Sequence, residues 1–320
     1  MSESTRDRAP RRVAALQSAF RRQRPLRGGS LIVTVFGDAL APRGGAITLG
    51  SLIELMAPFG LTERLVRTSV ARLVHDDWLA SRRHGRLSEY RLSPRGRARF
   101  VEATARIYAG PPGPWDGAWT LVVLPGAVGG RGAIRRQLRW NGFGEIAPGV
   151  FAHPAAGAAA VPATLASAGL ARAPMVFVTA RAAGSDADRA RLVRQGWDLT
   201  ELATRYRRFI RRYAAVARSL EERRALEPAT AFVVRTLLIH EYRRIHLRDP
   251  LLPRELLPAD WPGIAAYDTC RRLYGRLVGP AEAHLDARAV RFSGPLPPPD
   301  RGVAGRFPPV DASREPMSTQ

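Results

Sequence analysis

Two residue types and one sequence pattern are scarce in this chain. Lysine is absent, so all 50 basic residues are arginines, and Cys270 is the single cysteine among 320 residues. No apolar run approaches the roughly 20 residues that a membrane-spanning helix needs. A lone cysteine cannot form an internal disulfide, which is typical of a reducing compartment. The charged amino terminus is unlike a secretory signal, and we therefore expect a cytoplasmic protein with no membrane partner.

The missing residues also exclude several kinds of chemistry. Without lysine there is no phosphate-binding GK[ST] loop, and without a cysteine pair there is no cysteine-based zinc site. The stretch HEYRRIHLRDP looks like a zinc-binding HExxH helix, but His240 and His246 are six residues apart. That spacing separates them by about 240° around a helix, so they cannot hold one ion together. We therefore predict that the chain is not an enzyme and has no catalytic residues, no metal and no cofactor.

The charge is strongly unbalanced, at +22 from 50 basic and 28 acidic residues. Residues 1–110 alone hold 20 arginines and 9 acidic residues. A GC-rich genome would favour arginine over lysine, but base composition does not explain such an excess of positive charge. The imbalance favours a polyanionic partner, either nucleic acid or a ligand of the CoA type.

Composition and hydrophobic period divide the chain into five segments of an α+β fold. The Pro/Gly-rich run AGPPGPWDG separates the first third from a central segment. The central segment has predicted strands and helices in the order βαββαβ, the ferredoxin-like pattern, at residues 119–124, 130–140, 144–146, 150–152, 162–169 and 175–180. We predict a flexible basic arm, a winged helix-turn-helix domain, the ferredoxin-like central domain, a helical C-terminal regulatory domain and a disordered Pro-rich tail, at residues 1–28, 29–110, 115–183, 186–289 and 290–320.

The stretch LTERLVRTSVARLVHDDWL predicts a helix that begins after the N-cap residue Thr62. Its leucines and valines recur at the three- and four-residue spacing of a buried face. Thr48 caps a shorter helix before it, a basic hairpin follows it, and Ser93 caps a further helix. This order of helix, turn, helix and hairpin is that of a winged helix-turn-helix, whose second helix enters the major groove of DNA.

The polar face of this helix and the tip of the hairpin carry the predicted DNA contacts. Arginine suits both guanine edges and phosphates. The alternative is an ordinary amphipathic helix with a solvated basic face beside an ordinary hairpin. We expect double-stranded DNA to be contacted by Thr62, Arg64, Arg67, Thr68, Arg72, Arg82, Arg83, His84 and Arg86.

Several separate stretches together resemble the PaaX-type repressors of phenylacetic acid degradation operons. The resemblance covers residues 30–285 and rests on FGDALAPRGGAITLGSLI, RLVRTSVARLVHDDWL, YRLSPRGRARF, PWDGAWTLVVLP, LRWNGFGEIAPGVFAHP and HEYRRIHLRDPLLPRELLPADWPG. It implies a winged-helix first domain, a central domain similar to the ferredoxin-like fold of CRISPR adaptation nucleases, and a helical third domain. It also implies a homodimer that represses transcription at operator DNA and is released by an acyl-CoA effector such as phenylacetyl-CoA.

The resemblance points to the effector only through motifs. The stretches LRWNGFG and HEYRRIHLRDP, with the tryptophan that follows, are the expected places for it. The candidate effector contacts are Arg139, Trp140, His240, Tyr242, Arg243, Arg244, Arg248 and Trp261. The alternatives are that the arginines form structural ion pairs with Glu241, Asp249 or Glu255, and that the aromatic residues belong to the core.

The chief alternative function is a metal-dependent nuclease built on the central domain. Such nucleases use a carboxylate just after the first strand, whereas here that strand is followed by Leu124 and Pro125. Asp116 precedes the strand and is more simply a turn residue. A second alternative is an architectural protein that binds DNA without sequence preference. The sequence identifies neither the effector nor the operator.

Overall fold

The computed structural model of the chain describes residues 8–23, 28–124, 131–154, 161, 176–181, 184–221 and 226–309. These residues form two compact units. The first unit takes the chain up to Ala109 together with Arg208–Arg244 and Ala265–Pro309, and the second takes Gly110–Arg207 and Ile245–Ile264. The residues expected to form a separate helical domain are therefore divided between the two units.

The first unit begins with helices and a small sheet, as the α+β class requires. The helices are α1 (Arg8–Arg21), α2 (Gly28–Val35), α3 (Leu49–Met56), α4 (Glu63–His75) and α5 (Pro94–Ile107), and a π-helical turn, Phe36–Leu40, continues α2. The strands are β1 (Ala46–Thr48), β2 (Leu79–His84) and β3 (Leu87–Leu92), in the antiparallel order β1-β3-β2.

The three predicted helix starts are confirmed. The hydroxyl of Thr48 accepts from the backbone N–H of Ser51, that of Thr62 from Leu65, and that of Ser93 from Gly96. Each bond satisfies an N–H group that the first turn of a helix leaves without a partner.

The second unit contains an antiparallel sheet of order β5-β6-β4-β7. Its elements are β4 (Ala118–Val123), α6 (Arg131–Trp140), β5 (Gly144–Ala147), β6 (Val150–His153), β7 (Val176–Arg181) and α7 (Asp186–Gly196). The four predicted strands and the first helix are thus present, while the helix predicted over 162–169 lies outside the described residues. Side chains along β4 point alternately to the two faces of the sheet. Val122 packs in one core with Ile134 and Leu138, and Trp119 packs in another with Trp197.

Three long helices contribute residues to both units: α8 (Leu199–Glu221), α9 (Pro228–His246) and α10 (Gly263–Arg288). A short hairpin, β8 (Val290–Arg291) with β9 (Gly294–Pro295), follows them in the first unit. Within the described part of the chain, no helix has the length and apolar character that crossing a membrane requires.

The expected arm and tail differ from the structure. Helix α1 lies within the predicted flexible arm, and its Phe20 is buried with its ring edge against Phe59 and His240. In the predicted tail, Phe307 is buried against Tyr108 and Tyr274. Both segments are Arg- or Pro-rich, yet each carries large apolar side chains whose burial outweighs the cost of ordering the chain.

Candidate functional site

Helix α4 presents a polar, basic face to solvent. Val66, Val70 and Leu73 are buried beneath it. The exposed residues of the opposite face are Thr62, Glu63, Arg64, Arg67, Thr68, Ala71, Arg72 and His75. The only carboxylate on this face, Glu63, pairs with Arg67 across one helical turn at 2.7 Å.

The β2–β3 hairpin adds a second group of exposed basic side chains. Its two-residue turn contains Gly85, whose φ of +55° favours glycine. Around this turn Arg82, Arg83, His84 and Arg86 are all exposed. The nine residues predicted to contact DNA therefore lie on the exposed face of one helix and at the tip of the following hairpin.

A close approach of α2 fixes α4 in the first unit. A Cβ on Gly28 would lie 3.1 Å from the Ser69 hydroxyl and 3.2 Å from the Leu61 side chain. The turn between α3 and α4 ends at Gly60 with a left-handed φ of +80°. Side chains at these two glycines would push the helices apart or strain the turn.

A buried ionic cluster joins this module to the C-terminal helices of the same unit. Asp38, in the turn after α2, accepts from Arg235 of α9 at 2.7 Å and from Arg306 at 3.0 Å. Tyr108 and Tyr274 also donate to its carboxylate, at 2.6 and 3.1 Å. Burial would raise the pKa of Asp38, but the two guanidinium groups outweigh it and hold that pKa below its ordinary value.

Most of HEYRRIHLRDP has structural partners. In the first unit, the His240 ring lies 2.9 Å from the Thr34 hydroxyl, and Tyr242 is fully buried against Phe209. Arg243 donates to the hydroxyl of Thr34 and to Ser30. Burial and the neighbouring Arg244 lower the pKa of Arg243 to about 10.

Arg244 lines a depression of about 350 Å³ in the first unit, with His240 and Glu241 among its other walls. Glu241 pairs there with Arg212 of α8 at 2.7 Å. The partner of Glu241 is therefore an arginine of α8, whereas the structural alternative paired Glu241 with an arginine of the motif itself.

The end of the motif and the other candidate effector residues lie in the second unit. His246 shares the buried Tyr206 hydroxyl with Asp249, at 3.1 and 2.8 Å. Trp261 is buried with its ring against Tyr206. The motif's two histidines therefore have different partners, and no group of three metal-ligating side chains occurs among the residues that were described.

Two adjoining depressions bring Arg139, Trp140 and Arg248 together in the second unit. The larger, about 820 Å³, is walled by α6, β5 and the start of α8, and its arginines are Arg135, Arg139, Arg205 and Arg248. The shallower, about 670 Å³, shares Arg139 and Arg248 with it and is lined also by Trp140 and Arg136. Trp140 is 39% exposed.

Models of one protein family match most of the chain. The model described as PaaX-like protein matches residues 27–96, the PaaX protein central Cas2-like domain matches 112–192, and the PaaX-like protein C-terminal domain matches 197–287. The chain is also 39% identical over 295 residues to the protein "Transcriptional repressor PaaX" of Escherichia coli (strain K12), covering 91% of this chain and 93% of that one. The chain belongs to the PaaX family.

The family resemblance inferred from the sequence is therefore confirmed. Similarity to a transcriptional repressor supports a regulator of the PaaX family and not an enzyme. Among solved structures, an uncharacterized protein from Mycobacterium tuberculosis is 27% identical, with a TM-score of 0.46, over 72% of this chain and 90% of that one.

The two glycines of LRWNGFG allow it to pack closely against other segments of the second unit. Gly142 has a φ of +87°, and a Cβ there would lie 2.7 Å from the Pro250 carbonyl. A Cβ on Gly144 would lie 2.5 Å from the ring of Trp197, whose indole N–H donates to the Gly142 carbonyl at 2.8 Å. The backbones of LRWNGFG and of the end of HEYRRIHLRDP therefore pack against each other in the second unit.

Sequence reasoning missed Arg135, Arg136 and Arg205 as parts of the basic depressions. A signal for the first two was present, because Ile134 and Leu138 mark the buried face of α6 and place these arginines beside Arg139 and Trp140 on the polar face. For Arg205, no local pattern indicates that the start of α8 lies beside α6.

Asp116 lies where the turn interpretation predicts. Its carboxylate accepts from the backbone N–H of Ala118 at 2.9 Å. Leu124, at the end of β4, is buried. The carboxylate position expected of a nuclease therefore holds a leucine in this PaaX-family chain.

Proposed function

We propose that the chain is a cytoplasmic, homodimeric repressor of an aromatic-acid catabolic operon of the phenylacetate type. It binds operator DNA through a winged helix-turn-helix and is released by an acyl-CoA such as phenylacetyl-CoA. The observation that carries the proposal is the exposed basic face of α4 beside the arginine-rich hairpin, in a chain 39% identical to a transcriptional repressor.

The element order supports the DNA-binding part. Helix α3, a tight turn, α4 and a basic hairpin follow one another, and the second helix of such a unit enters the major groove. An exposed ion pair such as that of Arg67 with Glu63 is worth little in water, so Arg67 can exchange its carboxylate for a DNA phosphate or base edge. The hairpin arginines then contact the flanking backbone.

Strand order supports the interpretation of the central segment. The four strands of this segment follow one another in the chain as β4, β5, β6 and β7, but their order in the sheet is β5-β6-β4-β7. The first strand, β4, therefore lies between the third, β6, and the fourth, β7. A ferredoxin-like sheet has this arrangement, which agrees with the match to a Cas2-like domain model. A symmetric dimer would place two copies of α4 in major grooves about 34 Å apart, or a multiple of that distance.

Release from DNA follows from linkage. An acyl-CoA that binds better to a conformation with misplaced α4 helices must weaken operator binding. The operator must weaken acyl-CoA binding by the same factor. No covalent step is needed.

Two arginine substitutions test the DNA-binding part. Arg67→Ala and Arg72→Ala should each weaken binding to a duplex from the operator region about tenfold, because each removes a phosphate or base contact. Fluorescence anisotropy measures this, with Arg191→Ala as the control because Arg191 is an exposed arginine of the second unit. Unchanged affinity in both variants would remove α4 from the DNA interface.

The effector is tested on the same complex. Phenylacetyl-CoA should release the labelled duplex, whereas phenylacetate should not. Release by the free acid would overturn the requirement for CoA, and no release by either would overturn the proposed effector class.

A further inference from the structure

One surface of the second unit combines an exposed tryptophan with five arginines. We call it the Trp140 surface; it comprises Arg135, Arg136, Arg139, Trp140, Arg205 and Arg248. Trp140 is the one tryptophan among the exposed large apolar side chains of the described residues. The exposed part of this ring lies among arginines in the shallower depression, where a flat ring of a ligand can reach it.

The chemistry of the surface selects the partner. An exposed indole face stacks on another flat ring, and guanidinium groups bind phosphate through paired hydrogen bonds. Arg136 and Arg139 occupy the polar face of α6 with Trp140, and Arg248 lines the same depression. A ligand that carries both an aromatic base and phosphates, that is, a nucleotide or a molecule containing one, satisfies both requirements.

The surface already holds an anion of its own. Glu145 of β5 bonds Arg135 through one carboxylate oxygen and Arg139 through the other, each at 3.0 Å. The backbone N–H of Gly149 also donates to this carboxylate, at 3.2 Å. Glu145 therefore occupies the position between two arginines that a phosphate group would take.

The other charges leave the surface basic. Arg205 pairs with Glu201 on α8, and Asp198 caps the start of that helix. Arg136 and Arg248 are exposed and have no ion pair among the described residues. The guanidinium groups of Arg136 and Arg248 can therefore bind an anionic ligand while Glu145 is still paired with Arg135 and Arg139.

We propose that the Trp140 surface binds the nucleotide part of the effector. The base stacks on Trp140, the phosphates contact Arg136, Arg139 and Arg248, and the ligand displaces Glu145 from its two arginines. The larger depression, whose volume suits a small molecule, takes the remainder of the ligand. The proposal rests on the proposed function, because an acyl-CoA is a ligand with this base and these phosphates.

Calorimetric titration of the full chain with free coenzyme A tests the site without DNA. Trp140→Ala should weaken binding about tenfold or more because the stacking contact is lost, while Trp140→Phe keeps a flat ring and most of the affinity. Arg191→Ala should bind like the unmodified chain. Far-UV circular dichroism and a thermal melt show that each variant is folded.

Glu145→Gln tests whether the Glu145 carboxylate opposes ligand binding at Arg135 and Arg139. It should tighten coenzyme A binding about fivefold, since an exposed or partly exposed ion pair of this kind is worth about 1 kcal/mol. Weaker or unchanged binding would overturn the role of Glu145 as a displaced anion. No binding by the unmodified chain, or equal binding by Trp140→Ala, would overturn the site itself.

Operator binding distinguishes failure of this site from failure of the proposed function. Trp140→Ala should bind operator DNA normally and resist release by phenylacetyl-CoA. If it is released as readily as the unmodified chain, the site is wrong and the repressor proposal stands. If Trp140→Ala loses operator affinity while keeping coenzyme A affinity, the surface serves DNA and the inference is overturned.

Discussion

Asp38 joins three segments of the first unit that lie far apart in the sequence. Its carboxylate meets Arg235 from α9, Arg306 from the segment after the β8–β9 hairpin, and Tyr108 from the end of α5. Asp38 is 4% exposed and Arg235 is 1% exposed. Two buried charges in contact are costly to separate, because removing one leaves the other without its counter-ion in a medium of low polarity.

Asp38→Asn should therefore lower the free energy of unfolding by about 3–5 kcal/mol. Urea denaturation followed by circular dichroism measures the change. Asp260→Asn is the control, because Asp260 also pairs with an arginine, Arg207, but is 75% exposed. An equal effect of the two substitutions would show that burial does not set the strength of the Asp38 contacts.

The same carboxylate should make stability depend on pH. The pKa of Asp38 is lower in the folded chain than its ordinary value of about 3.9, so its stabilising contribution is complete above that pH and is lost as the pH falls through the folded-state pKa. Thermal melts between about pH 6 and pH 2 should show a smaller loss of stability in Asp38→Asn than in the unmodified chain. Parallel curves would contradict this assignment.

Among the elements, helix starts and strands could be predicted from neighbouring residues in the sequence. The order of segments whose packing partners lie far away in the chain could not. The three N-caps depend on residues within one turn, so the sequence contains all the information they need. Helix α1 and Phe307 were expected in disordered segments because their partners, Phe59 and Tyr108 among them, lie far away in the chain.

The candidate effector residues are divided between the two units, and the sequence pattern gave no sign of this. Helix α9 is buried nearly all round, several of its polar residues included, so its sequence pattern does not show which side meets solvent. The structure consequently buries Tyr242 and gives His240 a hydroxyl partner, while Arg139, Trp140 and Arg248 meet at one surface.

The N-cap of α4 provides a test at the scale of one element. Thr62→Ala should lower the free energy of unfolding by about 1 kcal/mol, because the N–H of Leu65 loses its acceptor. Thr62→Ser keeps a capping hydroxyl and should be close to the unmodified chain in urea denaturation. Equal stability of the alanine and serine variants would show that this hydroxyl does not cap the helix.

For the whole molecule, the net charge of +22 should dominate the salt dependence of DNA binding. Each phosphate that an arginine neutralises releases counter-ions, so affinity should fall by about a thousandfold between 50 and 200 mM salt if about six phosphates are contacted. Anisotropy titrations at several salt concentrations measure the slope. A flat response would contradict binding through the basic faces of α4 and the hairpin.

Competition between two DNA duplexes shows whether the chain is an operator-specific repressor. A labelled duplex from the promoter region of an adjacent aromatic-acid operon is bound by the full chain, and unlabelled copies of that duplex or of an unrelated one of equal length are added. For an operator-specific repressor, the specific duplex should compete about a thousandfold better than the unrelated one. Equal competition by the two duplexes would contradict operator specificity and would indicate a protein that binds DNA without sequence preference.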